Sequence, residues 1–261
     1  MKIATWNVNS IRTRLDHVVN WLTENPVDAL CLQETKVVDE KFPRDAIAAI
    51  GYHVLISGQK SYNGVAILSK IPLTETSQGF AAVLGESATE LDQQKRVITG
   101  ILNDIRIVNL YVPNGSSLGS DKYVYKLRWL EVLRDYLKTL LQKHDRVLVC
   151  GDFNIAMEDK DIHDPTGREK MVMATDLERQ ALQAAVLDLG LADIFRKFTT
   201  EGGQFSWWDY RTGAFRRNRG WRIDQIYGTP TLYERAIACR VDVEPRKLEQ
   251  PSDHTPVIVE L

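Results

Sequence analysis

The sequence predicts one α/β domain over residues 1–261, built from stacked sheets with helices outside. Three observations predict it. Short apolar runs of strand length alternate with stretches of helical spacing in both halves of the chain. The first such unit reads strand, helix, strand, and a helical crossover implies parallel pairing of its two strands. No linker, fixed-period repeat or low-complexity tract divides the chain.

Lys2–Trp6 is the first strand. Ser10 is placed to cap a helix in which Ile11, Leu15, Val18 and Leu22 recur at helical spacing, and Pro26 ends that unit. Val27–Leu32 reads as a second, buried strand. A short helix is expected over Arg44–Ile50, and strands over Tyr52–Ile56, Gly64–Ser69 and Arg96–Leu102. Gly79–Gln94 is polar and irregular, as a surface loop would be. Asn103-Asp104 joins Arg96–Leu102 to Ile105–Val112 as a hairpin. Pro113–Ser117 is a loop by composition. Leu127, Leu130, Leu133, Leu137 and Leu140 then form one apolar helical stripe that feeds the strand starting at Val147. Asp159–Met173 is irregular. Thr175-x-x-Glu178 is a capping-box pattern ahead of Leu177, Ala181, Leu182, Ala185 and Leu189, with Gly190 as the stop. Strands are expected at Phe205–Trp208, Ile223–Tyr227, Ala236–Val243 and Thr255–Leu261.

Composition excludes several classes. Hydrophobic residues make up 44% and charged residues 26%, as in ordinary globular proteins. No apolar run reaches a membrane span, and the N-terminus lacks a secretory pattern, so a cytoplasmic protein that needs no membrane is expected. The three cysteines, 31, 150 and 239, have no Cys-x-x-Cys spacing and read as small buried hydrophobes. The net charge of -2 leaves any nucleic-acid contact to a local patch. Nothing suggests an obligate assembly, and a monomer is expected.

The polar residues share one placement. Asn7, Glu34, Tyr111, Asp152, Asn154, Asp224, Asp253 and His254 each lie just past an apolar strand or at a loop mouth. If the strand ends lie together, these groups converge. Carboxylates and amides without a Cys or His cluster suit a hard cation such as magnesium. Glu34 and Asp253 are the expected ligands. Asp152 with Asn154 would hold and activate a water, and His254 paired with Asp224 would be a cation for phosphate oxygen. Tyr111 would donate to a departing or bridging oxygen. The set describes metal-assisted phosphodiester hydrolysis. Taken singly, each residue has a plainer reading: Glu34 a surface residue or helix cap, Asp152-x-Asn154 an Asx turn, Tyr111 a core tyrosine.

The chain resembles the exonuclease III type of apurinic/apyrimidinic endonucleases, in the endonuclease/exonuclease/phosphatase superfamily. The resemblance rests on Trp6-Asn7-Val8-Asn9, Leu32-Gln33-Glu34-Thr35-Lys36, Asn63-Gly64-Val65-Ala66, Tyr111-Val112-Pro113-Asn114-Gly115 and Gly151-Asp152-Phe153-Asn154. It continues through Phe205-Ser206-Trp207-Trp208-Asp209-Tyr210-Arg211, Trp221-Arg222-Ile223-Asp224 and Ser252-Asp253-His254-Thr255-Pro256. It implies a four-layered α/β sandwich, two central mixed β-sheets flanked by helices. It implies Mg2+-dependent incision 5' to abasic sites in double-stranded DNA, with 3'-5' exonuclease and 3'-phosphodiesterase or phosphatase activity. Mn2+ is the expected substitute ion. Asn7 would stand near the ligands Glu34 and Asp253, and Asn114 would contact phosphate. Trp207, Trp221 and Ile223 would line a pocket for the flipped-out sugar. A bacterial-type protein working at the nucleoid follows from the same likeness. Asn9 stands where some relatives carry an acidic ligand, and Ser10 where glycine is frequent.

Between two catalytic-looking strands, Arg211, Arg216, Arg217, Arg219 and Arg222 interleave with Trp207, Trp208, Tyr210, Phe215 and Trp221. Arginine contacts phosphate and aromatics pack on sugars and bases, so this loop is the expected DNA contact, with Arg216 at its centre. Two other readings are a same-fold phosphatase acting on inositol phosphates or sphingolipid, and a non-catalytic DNA-binding protein. The arginine/tryptophan loop weighs against the first, and the acid, amide and histidine set against the second.

Overall fold

The computed structural model describes residues 1–261, the side chain of Ser87 apart. The chain opens with β1 (Lys2–Asn7), α1 (Leu15–Glu24) and β2 (Ala29–Gln33), and β1 and β2 pair in parallel as the crossover requires. It continues through α2 (Arg44–Ala49), β3 (His53–Ser57), β4 (Val65–Ser69), β5 (Thr74–Gln78), α3 (Ala81–Leu84) and α4 (Thr89–Asp92). The hairpin β6 (Val97–Leu102) and β7 (Ile105–Tyr111) leads to α5 (Asp121–Leu141) and β8 (Val147–Asp152). β7 and β8 are the second parallel pair, again bridged by a helix. The chain ends with α6 (Asp176–Ala185), β9 (Ala192–Asp193), α7 (Ile194–Phe198), β10 (Asp224–Gly228), α8 (Pro230–Arg235), β11 (Ala238–Val241) and β12 (Val257–Glu260).

Two six-stranded mixed sheets result, in the orders β11-β12-β1-β2-β4-β3 and β5-β6-β7-β8-β10-β9. Each central strand is buried on both faces, which is why it reads as an unbroken apolar run. In β2, Ala29 and Cys31 face the other sheet while Leu30 and Leu32 face the layer of α1 and α2. In β8, Leu148 and Cys150 face inward while Val147 and Val149 pack under α5 and α6. The layers are therefore helix, sheet, sheet, helix. Trp129 of α5 is fully buried against Phe80, with ring centroids 4.9 Å apart, and its truncation to alanine would cost about 3–5 kcal/mol.

Several local expectations need correction. Ser10 does not cap α1: it sits at φ 93, and the helix starts only at Leu15, behind Arg14, with no side-chain cap. Ile11 is nevertheless buried in the same layer, so the apolar spacing was right and the boundary wrong. Gly79–Gln94 is no plain surface loop, because Phe80 and Leu91 anchor α3 and α4 in the core. Phe205–Trp208 forms no strand, only isolated bridges from Trp207 to Trp221 and His254. β5, β9, α7 and α8 escaped notice because they are short, and β5 is a polar edge strand with a bulge. The capping box Thr175/Glu178 forms as expected, but α6 ends at Ala185 and a 3-10 turn carries the chain to Gly190.

Among the described residues, no helix is long and apolar enough to cross a membrane.

Candidate active site

Strand register assembles the site. Both parallel pairs end at the same edge of the sandwich. In one sheet Asn7 ends β1 opposite Gln33, which Glu34 follows. In the other, Asp152 ends β8 between Tyr111 of β7 on one side and Asp224 of β10 on the other. Gly151 makes this tight end possible. Its φ is +144, and a Cβ there would lie 1.9 Å from the Leu110 carbonyl oxygen. Asp253 and His254 arrive on the loop before β12, with the Trp208 amide donating to the Asp253 carbonyl at 3.0 Å.

The Asn7 amide is one of the groups that join the two sheets near this edge, beside Gln33 and Asn109, whose side chains also pair across. Asn7 is fully buried, and its Nδ2 donates to Glu34 Oε1 at 2.9 Å and to Asp152 Oδ2 at 2.9 Å. Asn154 holds Asp152 from the other side: its backbone N donates to Oδ1 at 2.9 Å and its Nδ2 to Oδ2 at 3.2 Å. The Asx turn and the functional arrangement are thus one structure. Asn154 Oδ1 in turn accepts from Asn114 Nδ2 at 3.0 Å.

Electrostatics separate the titrating groups. Burial raises the Asp152 carboxyl to about 7; the His254 charge opposes this, and Asp224 adds to it. His254 Nδ1 lies 2.8 Å from Asp224 Oδ2, and His254 Nε2 lies 3.8 Å from Asp152 Oδ2. Burial disfavours the imidazolium, but Asp224 and then Asp152 outweigh it and raise the ring to about 10. Burial and the nearby Glu34 charge hold the Tyr111 phenol well above its usual range, so it stays a donor. Arg96 stacks over its ring, 4.5 Å from the centroid. Glu34 stays ionised: burial works against the charge, yet Lys36 at 2.9 Å and the Asn7 hydrogen bond hold it below the usual value. Asp253 does likewise against burial, through the His254 charge and hydrogen bonds from Trp207 and Asn9.

A cleft of about 260 Å³ opens over these groups. Glu34, Tyr111, Asn114, Asp152, Asn154, Asp253 and His254 line its polar side; Met173, Trp207 and Ile223 line the other. Trp221 stands behind Trp207, edge to face with centroids 6.4 Å apart. Asn7 and Asp224 lie beneath, fully buried. Arg216 is not brought in: it is exposed on its loop, outside the residues that line the cleft. Arg222 departs further from the sequence reading. It is buried and paired with Asp161 at 2.6 Å and Asp193 at 2.7 Å, so it holds the 159–173 segment rather than phosphate. Arg211 turns back on Asp209, while Arg217 and Arg219 remain exposed. Replacing Arg216 and Arg217 together by alanine is expected to weaken DNA binding and flatten its salt dependence by about two charges. A titration at two or more salt concentrations checks this, and an unchanged slope places the loop off the DNA.

The sequence reading missed two neighbours, Lys36 and Met173, and gave Asn9 no role. Lys36 bridges Glu34 and Asn9, donating to Asn9 Oδ1 at 2.5 Å. Asn9 donates to Asp253 Oδ1 at 2.9 Å, so an amide and a lysine stand where the likeness suggested an acid. Met173 reaches the cleft at φ 76. Lys36 was visible two residues after Glu34; Met173 had no local signal.

The donor set fits a hard divalent cation. Oxygen or nitrogen atoms of Glu34, Asp152 and His254 lie within 4.8 Å of one another. His254 as an imidazolium repels a cation, which leaves carboxylate and amide oxygens. Asp253 adds negative charge, each of its oxygens accepting one hydrogen bond from Asn9 or Trp207.

The model of the endonuclease/exonuclease/phosphatase family matches residues 4–254. The chain is 34% identical to exodeoxyribonuclease III of Haemophilus influenzae, over 100% of this chain and 99% of that one. It is 32% identical to the DNA repair nuclease APEX1 of Danio rerio, over 98% and 81%. Among solved structures it is similar to the Neisseria 3' phosphatase NExo bound to a product DNA hairpin (TM-score 0.94, 41% identity, 100% and 99% covered). It is also similar to an AP endonuclease from Archaeoglobus fulgidus (TM-score 0.93, 42% identity, 100% and 99% covered).

Proposed function

The chain belongs to the endonuclease/exonuclease/phosphatase family and is a DNA repair nuclease, and from that premise we propose that it cuts double-stranded DNA 5' to abasic sites. The observation that carries the proposal is the convergence in one cleft of Asp152, held by Asn7 and Asn154, with His254, whose Nδ1 lies 2.8 Å from Asp224 and whose Nε2 lies 3.8 Å from Asp152. Their environments push the two groups apart, Asp152 to about 7 and His254 to about 10. At neutral pH a fraction of Asp152 is a free base while His254 is a cation.

Asp152, fixed by Asn7 and Asn154, accepts the proton of the attacking water. His254, its Nδ1 committed to Asp224, presents Nε2–H to a phosphate oxygen. Tyr111 donates its phenolic proton's hydrogen bond to the departing or bridging oxygen, and Asn114 contacts phosphate. Trp207, Trp221 and Ile223, with Met173, form the apolar wall for a flipped-out sugar that carries no base and is cheap to extrude. Glu34, with Asn7 and Asp253 nearby, would hold Mg2+, for which Mn2+ can substitute; when bound, the ion neutralises phosphate and leaving-group charge. The same site suits DNA 3' ends, where a terminal phosphate or nucleotide would be removed, as in the Neisseria relative named as a 3' phosphatase. Residues 1–261 act as one catalytic domain, as a monomer, in the bacterial cytoplasm at the nucleoid; the exodeoxyribonuclease relatives of Haemophilus influenzae and Bacillus subtilis support that setting.

The test is cleavage of a duplex carrying one abasic-site analogue, beside an undamaged duplex and one ending in a 3'-phosphate, with Mg2+ or with EDTA. We expect a cut 5' to the lesion and loss of the 3'-phosphate, both abolished by EDTA. Loss of the 3'-phosphate without internal cutting sinks the abasic-site assignment; equal activity in EDTA sinks the metal.

A further inference from the structure

We propose that Lys126, which does not reach the cleft, is a positioning residue that sets Asn154, and through it Asp152, for the reaction. The proposal rests on the role given to Asp152 above. Lys126 of α5 and Glu178 of α6 are both 0% exposed, and their ion pair spans 2.5 Å. A lysine ammonium has three N–H donors. Here all three are used: one to Glu178 Oε1, one to the Asn154 carbonyl at 2.7 Å, one to the Asn114 carbonyl at 3.1 Å. Those two asparagines are joined again through their side chains, and Asn154 then binds both oxygens of Asp152.

The pair also reaches the apolar wall. Glu178 Oε1 accepts from the Met173 backbone N at 3.0 Å, and Oε2 accepts from Thr175 N and Oγ1. One buried charge pair therefore fixes three cleft-lining residues from three different loops. Asn154 and Met173 both sit at positive φ, at 49 and 76, a conformation non-glycine side chains disfavour. Their backbones need outside partners to stay there, and the pair supplies one to each.

Packing alone does not explain the lysine. An apolar side chain of the same volume would join α5 to α6 at least as well, because burying an ion pair is costly. What it would lack is directed donors to two carbonyls.

Lys126→Met alone would strand Glu178 as an unpaired buried carboxylate, so the test uses Lys126→Met with Glu178→Gln in the full chain. On an abasic duplex with Mg2+, we expect kcat to fall about 10- to 100-fold with KM little changed, since a misplacement near 1 Å costs about that much. The side-chain amide NMR signals of Asn114 and Asn154 should shift or broaden. Arg106→Met, which breaks the pair between Arg106 of β7 and Glu75 of β5, controls for general loss of stability and should leave kcat unchanged. The proposal is overturned if the double variant keeps parental kcat while Asp152→Asn is inactive. It is also overturned if Arg106→Met lowers kcat equally. Should Asp152→Asn stay active, the reading of Asp152 fails, and unmoved asparagine amide signals would still overturn the positioning claim by themselves.

Discussion

Asp152→Asn will bind an abasic duplex about as tightly as the parent and turn it over about a hundred- to ten-thousand-fold more slowly. The substitution keeps volume and shape at a buried strand end, although its amide N–H must face one of the donors of Asn7 or Asn154 that now bind the carboxylate. What disappears is the basic lone pair. Burial has already raised that carboxyl to about 7, close to the value at which a base is both available and strong at neutral pH. An amide cannot take the water's proton at any pH. Binding should not suffer, because a negative charge is removed beside a phosphate. Single-turnover cleavage and equilibrium binding in EDTA separate the two quantities; a variant within tenfold of parental turnover takes Asp152 out of the mechanism.

His254→Ala should lower kcat by about a hundred- to a thousandfold, the usual loss for one preorganised donor to developing charge. Its dependence on pH gives a sharper check. With Asp152 as the proposed base and His254 as the proposed cation, activity should fall as pH drops through about 7 and again as pH rises through about 10. The high value of His254 exists against the opposing effect of burial, chiefly because of Asp224. Asp224→Asn should therefore move the alkaline limb of kcat/KM down, and the acid limb down with it, because the Asp224 charge also raises Asp152. A fixed alkaline limb would mean that another group titrates there.

Much of this site could be read along the chain because its parts sit at strand ends. Runs such as Val147–Cys150 announce a buried strand, and a polar residue straight after one has few places to go. Asp152, Asn154, Glu34 and Tyr111 were legible as a group for that reason, and the roles expected of them came from their chemistry first and the family likeness second. Three-dimensional partnerships were not. Arg222 looks like its neighbours in sequence, but Asp161, sixty-one residues away, draws it inside. Lys126 sits four residues before Leu130 and seven before Leu133, on the buried face of α5, and nothing in the sequence around it shows that Glu178 of α6 meets it there. Ser10 failed as a cap because the chain turns through positive φ at Asn9 and Ser10, a turn for which Asn9 and the glycine frequent at position 10 in relatives were the available signals.

The pairing of β12 with β1 has a consequence for the order in which the protein comes into being. The second strand synthesised, β2, can dock on β1 early, but the far side of β1 stays open until residues 257–260 leave the ribosome. Asp253 and His254 come just before them. The imidazolium, and the charge that accompanies it, are thus absent from the partly made chain however well its first sheet has formed. If Asp253 and His254 act as proposed, cutting waits until β12 has closed on β1.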